Sequence, residues 1–328
     1  MLTFETLPDL FAEQNTYTTR IDRHAIADAL AIQFAQLTLE QFTAMLVNPV
    51  SASMAYVNLF SGAQDGQNIS LLFNPHRLDT KTRSSPRSIF AALQQPAFCH
   101  GLARACLFKR GKVNDLLHQV LQLGINGIQY VNDFPAHKAR DIYKEYLRPT
   151  DTHVLDPCAG WGGRLLGASC CVPRYDGFEP ASRTFAGLEQ LATFISSMHP
   201  SFTANLSMVP FEDAKLDDQS YDMAFTSPPY YDTEEYSDEP TQSRIRYTTP
   251  YAWRDGFFVA LIQKTMRALR PGGRFILNIG SKTYPLATWL QEIATPTYRL
   301  TLLPIWMSGN AGFGKEANGE QFFLLEHW

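Results

Sequence analysis

The 328-residue sequence has no apolar run approaching the roughly 18 residues that a membrane-spanning helix needs, so no membrane span is expected. It begins Met1-Leu2-Thr3-Phe4-Glu5, with no basic segment ahead of an apolar stretch, so no secretory signal is expected either. Cysteine is scarce. Cys99, Cys106, Cys158, Cys170 and Cys171 form no CxxC pair and no zinc spacing. An odd, unpatterned set fits a reducing cytoplasm and small buried side chains rather than a disulfide framework. His100, His118, His137 and His199 form no catalytic or metal constellation, and no metal is expected. No internal repeat or low-complexity segment occurs. The glycine-rich turns lack a GKS or GKT ending, which excludes a P-loop.

What remains is ordinary globular composition, 45% apolar and 18% charged, enough for one large domain or two smaller ones. The net charge of −4 is uneven. Residues 1–75 hold 2 Lys/Arg against 7 Asp/Glu, residues 76–150 hold 12 against 5, and residues 151–328 hold 14 against 20. A basic middle in an acidic chain is either a footprint for a polyanion or a solvated helical surface.

Apolar spacing predicts helices over residues 1–50, with Ile26, Leu30, Phe34, Leu37, Phe42 and Met45 on the inner face. Met54–Phe60 and Ile69–Phe73 read as two strands of a hairpin across a Gly/Asp/Asn-rich link. Arg77, Lys81, Arg83 and Arg87 lie in a Ser/Thr-rich loop, and Arg104–Lys112 forms a second basic cluster. The pattern changes near Gly124–Gly127. The expected division is an N-terminal, mainly helical accessory domain, 1–125, and a second domain, 126–328.

In the second domain strands and helices alternate. Strands are expected at His153–Leu155, Tyr175–Phe178, Asn205–Val209, Tyr221–Thr226, Arg274–Ile279, Arg299–Met307 and Gln321–Glu326. Helices are expected at Ala136–Leu147, Gly163–Cys171, Ala181–Ser197, Tyr251–Leu269 and Pro285–Ala294, the fourth stopped by Arg270-Pro271-Gly272-Gly273. Such alternation predicts a doubly wound, seven-stranded, mostly parallel α/β sheet. The last two strands have no helix between them and should pair antiparallel.

Three stretches carry chemistry. Asp156-Pro157-Cys158-Ala159-Gly160-Trp161-Gly162-Gly163-Arg164 turns the first strand into the first helix, where glycines let a ligand approach the backbone. Glu179 ends the second strand, 19 residues after Gly160, close to the roughly 20 at which an acidic residue meets ribose hydroxyls. It could equally cap the next helix. Ser227-Pro228-Pro229-Tyr230 then ends the fourth strand, because neither proline can donate to a ladder. Glu212-Asp213, after the third strand, is either an acceptor for an adenine amine or a solvated turn. The acidic stretch Asp232–Glu239 reads as a lid loop, with Arg244 and Arg246 free to meet phosphates or those carboxylates. Ser308–Lys315 reads as a mobile lining loop or a hairpin link.

These pieces together resemble the S-adenosylmethionine-dependent amino methyltransferases of nucleic acids, over roughly Gly127 to Trp328. The resemblance implies a Rossmann-like methyltransferase fold with S-adenosylmethionine as cofactor. Asp156, Cys158, Ala159, Gly160 and Gly162 would hold its methionine moiety, Glu179 its ribose and Asp213 its adenine. Phe134-Pro135, within Asn132–Lys138, resembles the family's other cofactor motif. Ser227, Pro228, Pro229 and Tyr230 would present the target amine. Glu235-Tyr236-Ser237, Thr241-Gln242-Ser243 and Tyr251-Ala252-Trp253 also look like phage and prophage DNA methylases of this group. Cys158 stands where the family often has Phe. Ser227, rather than Asp or Asn, favours N4 of cytosine over N6 of adenine within the family.

The expected activity is therefore methylation of an exocyclic amine on a DNA base, flipped out or single-stranded. The chain ends with the last strand, so recognition is expected from residues 76–112 or from the insert 232–250. RNA base methylation, methylation of a protein glutamine amide and nucleic-acid binding without chemistry are the competing readings.

Overall fold

Strand β1, His153–Asp156, is buried at all four positions, and the rest of the sheet is assembled around it. In the computed structural model the described residues are 35–98 (except 67, 84 and 86), 131–280, 283–295, 297–305 and 320–328, with 28, 31 and 32. They belong to two compact units, 1–49 with 75–132, and 50–74 with 133–328. The expected boundary at 125/126, the helix 113–123, the cluster 104–112 and the loop 308–315 lie outside the described residues.

The second unit holds the sheet: β1, β2 (Arg174–Phe178), β3 (Thr203–Ser207), β4 (Tyr221–Thr226), β5 (Leu269–Gly280), β6 (Tyr298–Leu303) and β7 (Glu320–His327). Their order is β3-β2-β1-β4-β5-β7-β6. The pairs β1–β2, β1–β4, β2–β3 and β4–β5 are parallel, while β7 runs antiparallel to both β5 and β6. The seven expected strands and the antiparallel final pair are all present. From β1 the chain winds outward through β2 and β3, then returns to β4 on the other side of β1. That reversal is the switch point at which open α/β sheets bind ligands.

Both faces of the central strands are covered, so β1, β4 and Phe275–Ile279 of β5 read as largely apolar runs rather than as alternations. On one face Leu155, Ala224, Phe275 and Leu277 pack with Leu261, Ile262 and Met266 of a helix at Val259–Ala268. On the other, Phe225 meets the edges of Tyr143, from a helix at Ala136–Tyr146, and of Phe134, with centroids 5.5 and 5.2 Å apart.

One expectation is corrected and two are refined. Met54–Phe60 and Ile69–Phe73 are not a hairpin but helices, Pro49–Ser61 and Ile69–Phe73. Pro49 sits where a helix start tolerates proline. The first run is apolar on two helical faces, Ala52, Tyr56 and Leu59 inward and Val50, Met54 and Val57 outward, so its period is masked. The helix expected at Tyr251–Leu269 is present, running without a break from Pro250 to Ala268, but it carries a π-helical turn, Arg254–Phe258, in its course. Gly256 lies against the Tyr247 ring, where a Cβ would collide with it. Finally, Arg270–Gly273 stops the helix as expected but lies within β5, as an irregularity in its pairing with β4. Leu269 pairs with Tyr221 before it and Arg274 with Met223 after it.

In the first unit Thr38 and Gln41 form a capping box for the helix Leu39–Leu46, and Ser88 caps Ile89–Leu93. Of the described basic residues, Lys81, Arg83 and Arg87 are exposed and Arg77 is buried. Among the described residues no helix is long and apolar enough to cross a membrane.

Candidate active site

The turn Asp156–Gly162 and the tetrapeptide Ser227–Tyr230 leave adjacent parallel strands, β1 and β4, at the same edge of the sheet. One carboxylate fastens them. Asp156 is fully buried and accepts from the Thr226 hydroxyl at 2.7 Å, the Cys158 amide at 3.2 Å, Arg164 Nε at 2.8 Å and the Tyr175 hydroxyl at 2.8 Å. Its oxygens are therefore spent inside the protein. The Arg164 guanidinium, itself buried, also donates to the Cys158 carbonyl. A buried charge pair satisfied this fully sets geometry rather than adding much net stability.

Above it the turn is held by Ala159 N–H to the Phe178 carbonyl, 2.8 Å, and by Gly162 N–H to the Ala159 carbonyl, 3.3 Å. Gly160 and Gly162 both have left-handed φ, +55° and +100°. A side chain at Gly160 would meet nothing nearer than the Cys158 carbonyl at 3.8 Å, so its backbone is bare toward open space. Burial, and then the Asp156 charge, push the Cys158 thiol well up, so it is no nucleophile.

Glu179 follows β2 beside this turn. Its Oε1 accepts from the Ala181 amide at 2.8 Å, and the Gly160 amide also donates to it. Burial nevertheless pushes its carboxyl up to about 7. Asp213 closes a short 3₁₀ turn after β3 and is half exposed, with both oxygens on Arg246 at 2.8 and 3.1 Å. Arg246 also meets Glu212 at 2.8 Å. Phe134 is buried under the Arg164 guanidinium, 5.7 Å from its centroid, with its edges in the aromatic core. Pro135 precedes the helix Ala136–Tyr146, and Asp133 accepts from the Gly163 amide at 3.2 Å.

At the tetrapeptide, Pro228 is buried and Ser227, Pro229 and Tyr230 are partly exposed. Ser227 Oγ lies 3.3 Å from the Tyr230 hydroxyl, which also donates to Asn278 Oδ1 at 3.5 Å. Burial, and then the Glu320 carboxylate, raise the Tyr230 phenol, so it stays protonated. Burial likewise lifts Glu320, and it lifts Glu234 to about 7 against the hydrogen bond from Tyr236. Among the described residues the Tyr230 ring enters no aromatic pair, whereas Tyr231 beside it packs on Trp253 and Tyr284.

The residues expected at the site thus fall into two groups. Gly160, Glu179 and Asp213 border the open edge of β1 to β3, and Ser227 and Tyr230 border that of β4. Asp156, Ala159 and Phe134 sit beneath as supports. No role was expected of Thr226, Arg164, Tyr175 or Asn278, although Thr226 and Arg164 border the stretches named above and Asn278 is a single polar residue in the apolar run Phe275–Ile279. The lining suits S-adenosylmethionine: room beside the Cα of Gly160, and a desolvated carboxyl at Glu179 with acceptor capacity left for hydroxyls.

No family model matches the chain, and no curated protein does. Among solved structures it resembles an rRNA methylase from Streptococcus thermophilus, at 13% identity over 60% of this chain and 97% of that one, TM-score 0.39. It also resembles a tRNA (m1A58) methyltransferase from Aquifex aeolicus, at 13% identity over 64% and 74%, TM-score 0.40. A TehB-like SAM-dependent methyltransferase from Corynebacterium glutamicum matches at 12% identity over 65% and 97%, TM-score 0.38. Likenesses this distant assign no residue a role and carry no substrate over.

Proposed function

We propose that this chain transfers a methyl group from S-adenosylmethionine to an exocyclic amino nitrogen of a DNA base, N4 of cytosine in preference to N6 of adenine. The observation that carries the reading is the adjacency of β1 and β4 at the switch point. The glycine turn and the Ser-Pro-Pro-Tyr element share one sheet edge there, joined through Asp156 and Thr226.

S-adenosylmethionine, when bound, supplies a sulfonium-activated methyl group and is left as S-adenosylhomocysteine. Gly160 and Glu179 hold the cofactor's amino-acid and ribose ends. The target amine is a poor nucleophile because its lone pair is delocalised into the ring. The Ser227 hydroxyl and the Pro228 carbonyl accept its two N–H groups, which favours a pyramidal nitrogen and aims the lone pair. This is catalysis by positioning and fixed dipoles. Tyr230, protonated and in no aromatic pair among the described residues, stacks on the displaced base. The methylated nitrogen loses its proton to water, so no strong base is required. Lys81, Arg83 and Arg87 are exposed, which favours a polyanion along the 76–112 region.

Labelled cofactor offered to DNA, RNA and protein, followed by nucleoside mass spectrometry, tests the reading. N4-methylcytosine in DNA is expected. Label in RNA alone, in a glutamine amide or in no polymer overturns it.

A further inference from the structure

The insert after the tetrapeptide begins with a tight turn, the Thr233 amide donating to the Tyr230 carbonyl at 3.3 Å. Tyr231 has φ +60°, a strained value for a tyrosine, and the chain reverses there. It then touches the three loops that follow β1, β2 and β3 in turn. The Tyr236 ring meets the edge of Trp161, between Gly160 and Gly162, with centroids 5.9 Å apart. The Glu239 carboxylate accepts from the Ser182 amide at 3.1 Å and from its hydroxyl at 3.0 Å, while Thr241 Oγ1 donates to the Pro180 carbonyl at 3.0 Å. Both contacts lie within three residues of Glu179. Arg246 then closes on Glu212 and Asp213. Tyr247 ends the run on Gly256, the position that tolerates no Cβ.

We infer that residues 236–246 belong to the cofactor site as its outer wall, a strap that must release Glu239 and Arg246 before S-adenosylmethionine enters or its product leaves. The inference rests on the proposed placing of the cofactor along Gly160, Glu179 and Asp213. Each anchor falls beside one of those residues, on three consecutive loops, which a surface insert serving another purpose has no reason to do. The anchors are also of a releasable kind. Arg246 and Asp213 are partly exposed, and the Glu239 contacts are exposed polar ones. Exposed pairs are weak and are screened by salt. The strap therefore takes the adenosine half of the site for itself and leaves recognition of the polymer to other parts of the chain.

Stopped-flow binding of S-adenosylhomocysteine to the full chain tests this, followed by Trp fluorescence. Arg246→Ala and Glu239→Gln should each speed product-analogue dissociation by about fivefold, the scale of a partly exposed ion pair. Arg246→Lys should fall between them and the unaltered protein, and 0.5 M salt should bring the unaltered protein towards Arg246→Ala. Dissociation within twofold of the unaltered protein in both variants overturns the strap while leaving the cofactor assignment standing. Failure of the unaltered protein to bind the analogue overturns both.

Discussion

The Thr226 hydroxyl donates to Asp156 Oδ1 across 2.7 Å, and this single bond ties the strand that carries the tetrapeptide to the strand that carries the glycine turn. The same hydroxyl accepts from the Cys158 amide at 3.2 Å, so it fixes the turn as well. Thr226→Val keeps the shape and removes the donor, leaving a buried carboxylate short of one partner. It should cost about 1–3 kcal/mol of stability. Arg164→Met, which strips the buried charge of its counter-ion, should cost more, about 3–5 kcal/mol. Urea unfolding of both variants measures the difference. Equal costs would mean that Asp156 is not held as described.

Gly160 and Gly162 both have left-handed backbones, but for different reasons. Gly162 faces the Leu191 and Leu188 side chains, whereas Gly160 faces open space. Gly162→Ala should therefore destabilise by about 2–5 kcal/mol, combining backbone and packing costs. Gly160→Ala should lose only about 1–2 kcal/mol of backbone energy, yet its methyl group enters the space proposed for the cofactor. Calorimetric titration with S-adenosylhomocysteine should show a folded Gly160→Ala protein that no longer binds. Unimpaired binding would remove Gly160 from the cofactor site.

Ser227 and Tyr230 belong to the other half of the edge. Tyr230→Ala removes the proposed stacking platform and should lower the methylation rate about 10- to 100-fold, the range that stacking of one base supports. Tyr230→Phe keeps the ring and loses only the contacts to Ser227 and Asn278, so most of the rate should persist. Ser227→Ala should lower turnover with S-adenosylhomocysteine affinity unchanged. A rate unaffected by Tyr230→Ala would show that the ring does not hold the base.

The central strands were legible because they announce themselves locally: β1 and β4 are runs buried at nearly every position, β4 stops at Pro-Pro, and β5 is apolar over Phe275–Ile279 and stops at Gly280. Asp156–Gly162, Glu179 and Ser227–Tyr230 stood out because each follows a strand end, whereas Phe134-Pro135 precedes a helix. Pro49–Ser61 was not legible, because a helix apolar on two faces loses its period. The supports were hidden too. Arg164 and Tyr175 matter only through a carboxylate 8 and 19 residues away, and Arg246 reaches back 33 residues to Asp213. Such pairings depend on the winding of the chain, which no local pattern encodes.

On the proposed placing of the cofactor, Glu179 should make its binding depend on pH. Its carboxyl, ordinarily near 4.5, is pushed up to about 7 by burial in the free protein. The proton is thus held more tightly in the folded state. The resulting stability is fully present below about pH 4.5 and is lost as pH rises through about 7. Ribose hydroxyls donate to the ionised carboxylate, so binding must displace that proton at low pH. Affinity for S-adenosylhomocysteine should fall about tenfold between pH 8 and pH 6, because protonation of Glu179 competes with the ligand. Glu179→Gln should bind weakly and show a flat profile. Glu234, also near 7, lies on the tetrapeptide side with Tyr236 and Glu320, so Glu234→Gln should keep the slope. Calorimetric titration at the two pH values separates the residues. A slope that survived Glu179→Gln and vanished with Glu234→Gln would move the ligand's contact from the end of β2 to the insert.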